Sequence, residues 1–194
     1  NTVRSVLASS DSGRRLEIIV VDDGSEEDPR GTLRDAFGNA VTVIRIPPSG
    51  VCAARNIGTE ASSGTFVAFL DDDDCALAGW VAALCPPDIS SDVAAVCVGA
   101  RLVGPGSDEV EQLLPRDLGA MFLHIWGSGL AGTFAIRRSV LVAVGGFWTE
   151  LRFGELTELW IRLAEWIISS EARVVSDASV VVQINRRPAS ERSH

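Results

Sequence analysis

The stretch FVAFLDDDDC, residues 66–75, runs an apolar segment directly into four consecutive aspartates. The residues TFVAFL at 65–70 predict a strand, so the aspartates at 71–74 begin at its carboxyl end. Like charges about 4 Å apart repel by about 1 kcal/mol even in water. Acidic runs are often solvated loops. The position of this one directly after an apolar strand instead favours a function in which a bound cation offsets the repulsion.

The composition indicates an acidic globular protein. The 194 residues are 46% apolar, enough for a sizeable core, and their net charge of −9 argues against wrapping a nucleic acid. All 17 basic residues are arginines, which excludes Schiff-base chemistry and the phosphate-binding lysine of a P-loop. Four cysteines without a CxxC pair and only two histidines suggest neither a zinc cluster nor a disulfide framework.

The organisation of the chain predicts one domain over residues 1–194. No internal repeat or linker divides the sequence. No apolar run reaches the roughly 20 residues that span a bilayer, so we expect no transmembrane segment. The first residues also lack a basic and then apolar export signal, so a cytoplasmic setting is the default expectation.

Predicted strands and helices alternate along the chain. Helical spacing predicts several helices, among them one that Ser49 caps and one from Glu155 toward Ser169. This alternation indicates an α/β sandwich, in which ligands bind beyond the carboxyl ends of the strands. Asp22 and Asp23 follow the first strand, which we expect to be buried, so both acidic clusters are predicted at that edge. The strands are predicted at 16–21, 41–46, 65–70, 93–98, 132–137 and 174–184.

Carboxylates at alternate positions after a strand suit a divalent cation. The side chains of Asp71 and Asp73 can point at one ion, and Mg²⁺ or Mn²⁺ prefers oxygen ligands together with substrate phosphates. We therefore expect one of these metals to bind at the aspartates.

Six segments resemble, in order and approximate spacing, the family 2 glycosyltransferases with the GT-A fold. The resemblance extends from about residue 2 to 190 and implies a three-layer αβα sandwich with a mixed, mostly parallel sheet. It also implies inverting transfer of a sugar, of the hexosyl type, from a nucleoside-diphosphate-sugar to a hydroxyl of a saccharide, lipid carrier or small molecule. The segments are VVDDGS (20–25), AARNIG (53–58), FLDDDD (69–74), GTFAIRRSVLVAVGGF (132–147), GELTELWIRLAE (154–165) and INRRPAS (184–190).

The resemblance assigns the nucleotide to three residues outside the aspartate run. It implies that Asp23 accepts a hydrogen bond from the nucleotide base, that Asp22 lies beside it, and that Arg55 faces the nucleotide. Each has a structural alternative. The aspartates could hydrogen-bond the backbone of their own turn, and the arginine could lie on a helix surface.

The DxD motif of similar enzymes falls on Asp71 and Asp73. The resemblance implies that Asp71 lies near the ribose, that Asp72 belongs to the donor site, and that Asp73 binds the Mn²⁺ or Mg²⁺ that bridges the diphosphate. Such a metal assists departure of the nucleoside diphosphate. The same aspartates could belong to an aspartyl-phosphate phosphatase, a weaker hypothesis because that chemistry also needs a downstream lysine.

The first departure from the family concerns a strand. Similar enzymes begin with a strand that lines the nucleotide pocket, whereas this sequence begins inside the helix that follows it. Either the sequence is a fragment, truncated at its N-terminus, or that strand is absent. Because the strand would be central, we expect its loss to open the sheet and to remove part of the donor site.

The second departure concerns the base that deprotonates the acceptor hydroxyl. Similar enzymes carry it as an aspartate at the position of Leu156, and leucine cannot take a proton. The neighbouring Glu155, and after it Glu158, could serve as general base, or each could only stabilise the first turn of its helix. If neither does, the chain is a nucleotide-sugar-binding module without transfer activity.

Other candidates are weaker. Trp126 and Trp148 could stack on an acceptor sugar, although large aromatics more often belong to a core. Arg186 and Arg187 fall where similar enzymes carry a basic segment near the diphosphate, or they could be solvated.

Overall fold

The computed structural model describes residues 1–10, 13–104, 110–117, 126–127 and 129–186. The predicted alternation is present, and the central strand extends well beyond the predicted 93–98. The helices are α1 Thr2–Ala8, α2 Arg30–Phe37, α3 Val51–Ala61, α4 Trp80–Leu84, α5 Arg138–Ala143 and α6 Glu155–Ser170, with a 3₁₀ turn at Gly38–Ala40. The strands are β1 Ile18–Asp22, β2 Val41–Arg45, β3 Phe66–Ala68, β4 Cys75–Ala76, β5 Val93–Val103, β6 Val110–Leu113, β7 Arg116–Asp117, β8 Trp126–Gly127, β9 Phe134–Arg137 and β10 Arg173–Asn185.

The strand β5 lies inside a six-stranded mixed sheet. The strands follow the order β3-β9-β5-β10-β4, and β6 also pairs with β5. β9 is antiparallel to both β3 and β5, so β3 and β5 point the same way, and β10 is parallel to β5. The carboxyl ends of β3, β5 and β10 therefore lie at one edge of this sheet.

Helices cover both faces of the six-stranded sheet and give a three-layer arrangement. On one face, Leu159 and Trp160 of α6 pack with Leu141 of α5 against Phe134 of β9. On the other face, Val6 of α1 and the α4 residues pack against the remaining side chains of β5. The residues of β5 at 93–98 are almost completely buried between the two clusters, as expected for an apolar central strand.

A cleft divides β1 and β2 from the larger sheet. β1 pairs with β2 in a separate parallel ladder, and within the described ranges no ladder joins β1 to β3. The cleft measures about 750 Å³ and is lined by β1 and β3 together with residues of α1, α3 and α4. The strand predicted at 16–21 is present, but the expectation that it is buried is wrong, because residues 18–21 are only half-buried beside this cleft.

The contacts of β1 and β3 with α3 show the relative direction of these two strands. Glu17, just before β1, accepts a hydrogen bond from the backbone N–H of Ser63, beyond the carboxyl end of α3. At its other end, β1 leads to Asp23, which contacts the backbone just before α3. β3 starts close after α3 and leads to Asp71, which contacts Arg55 within that helix. β1 and β3 therefore point the same way, and the two acidic clusters share one edge.

Candidate active site

The loop of residues 71–74, which we call the acidic loop, is anchored from both sides. The hydroxyl of Thr2 lies 2.6 Å from the carbonyl oxygen of Asp72 and 2.7 Å from that of Asp74. From β10, the backbone N–H of Asn185 donates to the buried Asp74 carboxylate at 2.8 Å, and the Asn185 amide donates to the carbonyl of Asp73. These bonds fix the backbone of the loop, while the side chains of Asp71 and Asp72 stay exposed and that of Asp73 is half-buried.

Arg55 of α3 joins the acidic loop to the start of α6. Its Nη2 donates to Oδ1 of Asp71 at 3.1 Å, and its Nη1 donates to Oε1 of Glu155 at 2.8 Å. The arginine side chain is only 9% exposed, and its guanidinium lies 6.0 Å from the ring centroid of Phe69 and 5.4 Å from that of Phe147. We call this arrangement the Arg55 bridge. Arg55 also borders the cleft, and its predicted contact with a nucleotide stays a prediction.

Asp22 stabilises the turn after β1. Its buried carboxylate accepts from Nη1 of Arg45 at 2.6 Å and from the backbone N–H of Ser25 at 3.0 Å. Hydrogen bonding to Ser25, followed by the charge of Arg45, lowers the pKa of Asp22 below its usual value. The structural alternative considered for Asp22, a turn aspartate bonded to local backbone, therefore describes its contacts.

Asp23 connects this turn to α3. Its two carboxylate oxygens accept the backbone N–H groups of Ser49 at 2.7 Å and Gly50 at 2.8 Å. The prediction that Ser49 caps α3 is wrong. Gly50 occupies the N-cap, and the Ser49 hydroxyl donates to the carbonyl of Pro47. From Gly50 to Arg55 the helix rises by roughly 7.5 Å, at about 1.5 Å per residue, so Asp23 and Asp71 contact the same N-terminal half of α3.

The first turn of α6 holds the residues considered for the base. Glu155 is paired with Arg55, whereas Glu158 forms an ion pair with Arg162 on the same helix. Arg162 also donates to the carbonyl of Gly146 at 2.7 Å, so Glu158 belongs to contacts that hold the segment before α6. Leu156 is half-buried and packs against the core on the same apolar face of the helix as Leu159, Trp160 and Leu163.

Two aromatic side chains are exposed in the segment between α5 and α6. Trp148 is 56% exposed and Phe153 is 71% exposed. The guanidinium of Arg162 lies 5.4 Å from the ring centroid of Trp148, and the carbonyl of Leu151 in the same segment accepts from the Cys52 thiol of α3. Trp148 is therefore a surface aromatic near the start of α6 and is available to a ligand.

Some predicted residues give less information about the site. The side chain of Trp126 and residue Arg187 lie outside the described residues. The exposed guanidinium of Arg186 donates to Glu111 at 2.7 Å.

The carboxylate oxygens of the acidic loop suit a hard divalent cation that is coordinated partly by the protein and partly by a substrate. Among the residues that the structure describes, no group of three or more histidine, cysteine or acidic side chains could hold a metal by itself. Mg²⁺ and related ions in transferase sites commonly use one or two carboxylates plus substrate phosphates. The exposed end of the acidic loop, with Asp73 beside it, can supply that smaller number of ligands.

A family model named Glycosyl transferase family 2 matches residues 1–146. The chain belongs to this family. Similar proteins include a glucosyl-dolichyl phosphate glucuronosyltransferase of Haloferax volcanii, 33% identical over 77% of this chain and 50% of the relative. A pre-mycofactocin glycosyltransferase of Mycobacterium tuberculosis is 32% identical over 78% of this chain and 34% of the relative. The succinoglycan biosynthesis protein ExoM of Rhizobium meliloti is 29% identical over 66% of this chain and 42% of the relative.

The family 2 assignment agrees with the fold. The crystal structure of GalNAc-T7 with UDP, GalNAc and Mn²⁺ superposes with a TM-score of 0.70 over 97% of this chain and 41% of that one, at 18% identity. The predicted GT-A fold is therefore confirmed. The expectation of a mostly parallel sheet is wrong for the six-stranded sheet, because among its described ladders β5–β10 is parallel and the others are antiparallel. The chain spans half or less of the length of the curated relatives it matches. Within the described ranges, no helix combines the length and the apolar character needed to cross a bilayer.

The contacts that assemble this site were not all visible in the sequence. Asn185 lies in the INRRPAS segment, so the family resemblance marked its neighbourhood, although not its bonds to the acidic loop. Nothing in the sequence pattern marked Thr2. The Arg55 bridge joins residues that are 100 positions apart, and the sequence indicates a role for each of them but not their pairing.

Proposed function

We propose that this domain binds a nucleoside-diphosphate-sugar and transfers the sugar, with inversion, to an acceptor hydroxyl. The Arg55 bridge carries this proposal, because one guanidinium connects Asp71, expected at the donor, to Glu155, expected at the acceptor. Membership of family 2 and relatives named as glycosyltransferases support the reaction class.

The donor would lie across the edge where β1 and β3 end. Asp23 would accept a hydrogen bond from the nucleotide base, with Asp22 fixing its turn, and Asp71 and Asp72 would bind the ribose side of the donor. Asp73 would hold Mn²⁺ or Mg²⁺ together with the diphosphate. When bound, that metal would stabilise the negative charge of the departing nucleoside diphosphate.

Glu155 would act as the general base in a single displacement. The acceptor oxygen forms a bond to the anomeric carbon as the bond from that carbon to the diphosphate oxygen breaks, and the hydroxyl proton passes to the Glu155 carboxylate. Arg55 fixes one Glu155 oxygen at 2.8 Å, which leaves the other as the proton acceptor in this scheme. Glu158 is the second choice because Arg162 holds it in an ion pair within α6.

The acceptor would approach from the segment before α6. Trp148 is exposed there and offers an aromatic face on which a sugar ring can stack. A saccharide, a lipid-linked sugar or a small molecule each carries a hydroxyl that this chemistry could use.

A donor-binding module without transfer activity is the second candidate. The observation that favours it is Leu156, which packs against the core at the position where the resemblance expects the base. In this alternative, the same acidic edge would bind the nucleotide-sugar and Glu155 would serve only in the Arg55 bridge.

One experiment separates the two candidates. Binding of UDP-, GDP- and dTDP-sugars is measured by calorimetry with and without Mn²⁺, and release of nucleoside diphosphate is measured with a panel of hydroxyl acceptors. Metal-dependent binding with acceptor-dependent release is the result expected for a transferase. Binding without release favours the module, and no binding of any donor contradicts both.

The substitution Leu156→Asp tests where the base resides. If Glu155 is the base, an added carboxylate gives no gain in turnover, and the melting temperature falls because a charge replaces a side chain packed against the core. Thermal denaturation and nucleoside diphosphate release check the two effects. A gain in turnover would instead indicate that this chain lacks its base. Glu165→Asp, a change on the exposed side of α6, is the matched control.

A further inference from the structure

The Arg55 bridge holds two carboxylates at fixed positions relative to each other. Asp71 and Glu155 bind the two terminal nitrogens of one planar guanidinium, at 3.1 Å and 2.8 Å. Without the arginine, two negative charges this close would repel each other. The side chain of Asp71 is 49% exposed and that of Glu155 is 16% exposed, so both border the surface while Arg55 lies behind them.

The surroundings of Arg55 fix the position of its guanidinium. The rings of Phe69 and Phe147 flank it and contact each other edge to face, with centroids 5.1 Å apart. The neighbouring Asn56 makes two 2.8 Å hydrogen bonds with the backbone of Phe147, one through its Nδ2 and one through its Oδ1. The position of Phe147 is therefore tied to the same turn of α3 that carries Arg55.

A glycine permits this attachment. Gly146 has a φ of +65°, and a Cβ added there would lie 2.6 Å from Oδ1 of Asn56. The backbone can approach Asn56 only because residue 146 has no side chain. Through these contacts α3, Phe69 and the segment before α6 pack around the Arg55 guanidinium. Packing and hydrogen bonds of this kind hold a functional side chain in place.

We propose that Arg55 is a positioning residue that transmits the position of Glu155 to Asp71, so that the acceptor side of the site sets the affinity of the donor side. This inference rests on the proposed function for the identity of the donor. Lysine cannot replace the arginine, because one ammonium does not reproduce two adjacent donors in a fixed plane. Loss of the Glu155 carboxylate would leave the guanidinium with Asp71 alone and shift Asp71 away from its binding orientation.

The test compares two Glu155 variants in the full chain, using Mn²⁺ with UDP, GDP or dTDP as the probe and calorimetry as the readout. Glu155→Gln keeps an oxygen that accepts from Arg55, whereas Glu155→Ala removes it. We expect Glu155→Ala to weaken nucleotide binding by about tenfold and Glu155→Gln to stay within about threefold of the wild type. Repeating both in an Arg55→Lys background should abolish the difference between them.

A matched control uses another arginine that packs on α3. Arg138 donates to the Thr59 carbonyl and the Ser62 hydroxyl at the far end of the helix, so Arg138→Lys disturbs a guanidinium contact away from the site. The nucleotide affinity of Arg138→Lys should equal that of the wild type. The difference in affinity between Glu155→Gln and Glu155→Ala should persist when each is combined with Arg138→Lys.

Three outcomes would overturn the inference. If Glu155→Ala and Glu155→Gln bind the nucleotide with equal affinity, the hydrogen bond from Arg55 to residue 155 does not set that affinity. If their difference survives in the Arg55→Lys background, the arginine does not transmit it. If the wild type binds none of the nucleotides with Mn²⁺, the proposed function fails and the inference fails with it, whereas the first two outcomes leave donor binding intact.

Discussion

Asp22 and Asp71 illustrate two ways in which single carboxylates are held at the ends of neighbouring strands. Asp22 is buried and accepts from both Arg45 and Ser25, so its oxygens are used to build the turn after β1. Asp71 is half exposed and pairs with Arg55 from behind, so it also faces the surface. Pairing with arginine therefore offsets part of the repulsion within the acidic loop, and the Asp71 side chain remains 49% exposed.

The acid stability of the fold should depend on Asp22. Hydrogen bonding to Ser25 and the charge of Arg45 lower its pKa in the folded state, whereas in the unfolded chain the value is about 3.9. The stabilisation is therefore complete above the unfolded value and is lost as the pH falls through the folded pKa. As the pH is lowered from about 6 to about 3, we expect the melting temperature of Asp22→Asn to fall less than that of the wild type.

Melting curves of the wild type and Asp22→Asn across that pH range check this expectation. Asp88→Asn is the control, because Asp88 has a φ of +56°, a conformation that asparagine tolerates well. Parallel pH profiles for the wild type and Asp22→Asn would show that Asp22 does not contribute to acid stability.

The strands β1 and β3 differ from β5 although all three have apolar sequences. β5 is paired on both sides and buried between two core clusters, whereas β1 pairs with β2 and β3 pairs with β9. Within the described residues, each of β1 and β3 has a ladder on one side only, and the other side borders the cleft. Burial in this molecule therefore follows the position of a strand in the sheet as well as its composition.

Amide hydrogen exchange should report this difference between strands. We expect the amides of β1 and β3 to exchange much faster than those of β5, because local opening costs less where a strand is paired on one side and half-buried. Exchange measured by NMR or by mass spectrometry of peptides checks the expectation. Equal protection of β1 and β5 would contradict the cleft as described.

Element boundaries that depend on local chemistry could be predicted from the sequence. Glu155 begins α6, as helical spacing predicts. The cap at Ser49 and the burial of residues 18–21 could not be predicted. Asp23 from another element satisfies the backbone before α3, and the burial of β1 depends on which strand lies beside it. The hydrophobic periodicity of the sequence does not indicate that Asp23 contacts the start of α3 or which strand lies beside β1.

The whole molecule gathers the candidate site from segments far apart in the chain. The turn after β1, the middle of α3, the acidic loop and the start of α6 meet at one edge, and Thr2 and Asn185 hold the loop there. The resemblance to a family includes the segments that carry Asp23, Arg55, the acidic loop, Glu155 and Asn185. It did not predict the pairings, such as the bond between Asn185 and Asp74 across 111 positions, because those depend on the assembled sheet.

We propose that the acidic loop binds a nucleoside diphosphate through a divalent metal. Calorimetric titration of the wild type and Asp73→Asn with UDP, GDP and dTDP, each with and without Mn²⁺, tests it most directly, with Asp88→Asn as control. We expect binding that requires Mn²⁺ in the wild type and in Asp88→Asn, and affinity at least about tenfold weaker in Asp73→Asn because the ion loses an anionic ligand. If Asp73→Asn binds the nucleotides as tightly as the wild type, or if Mn²⁺ does not change the affinity of the wild type, the acidic loop does not bind the nucleotide through a metal.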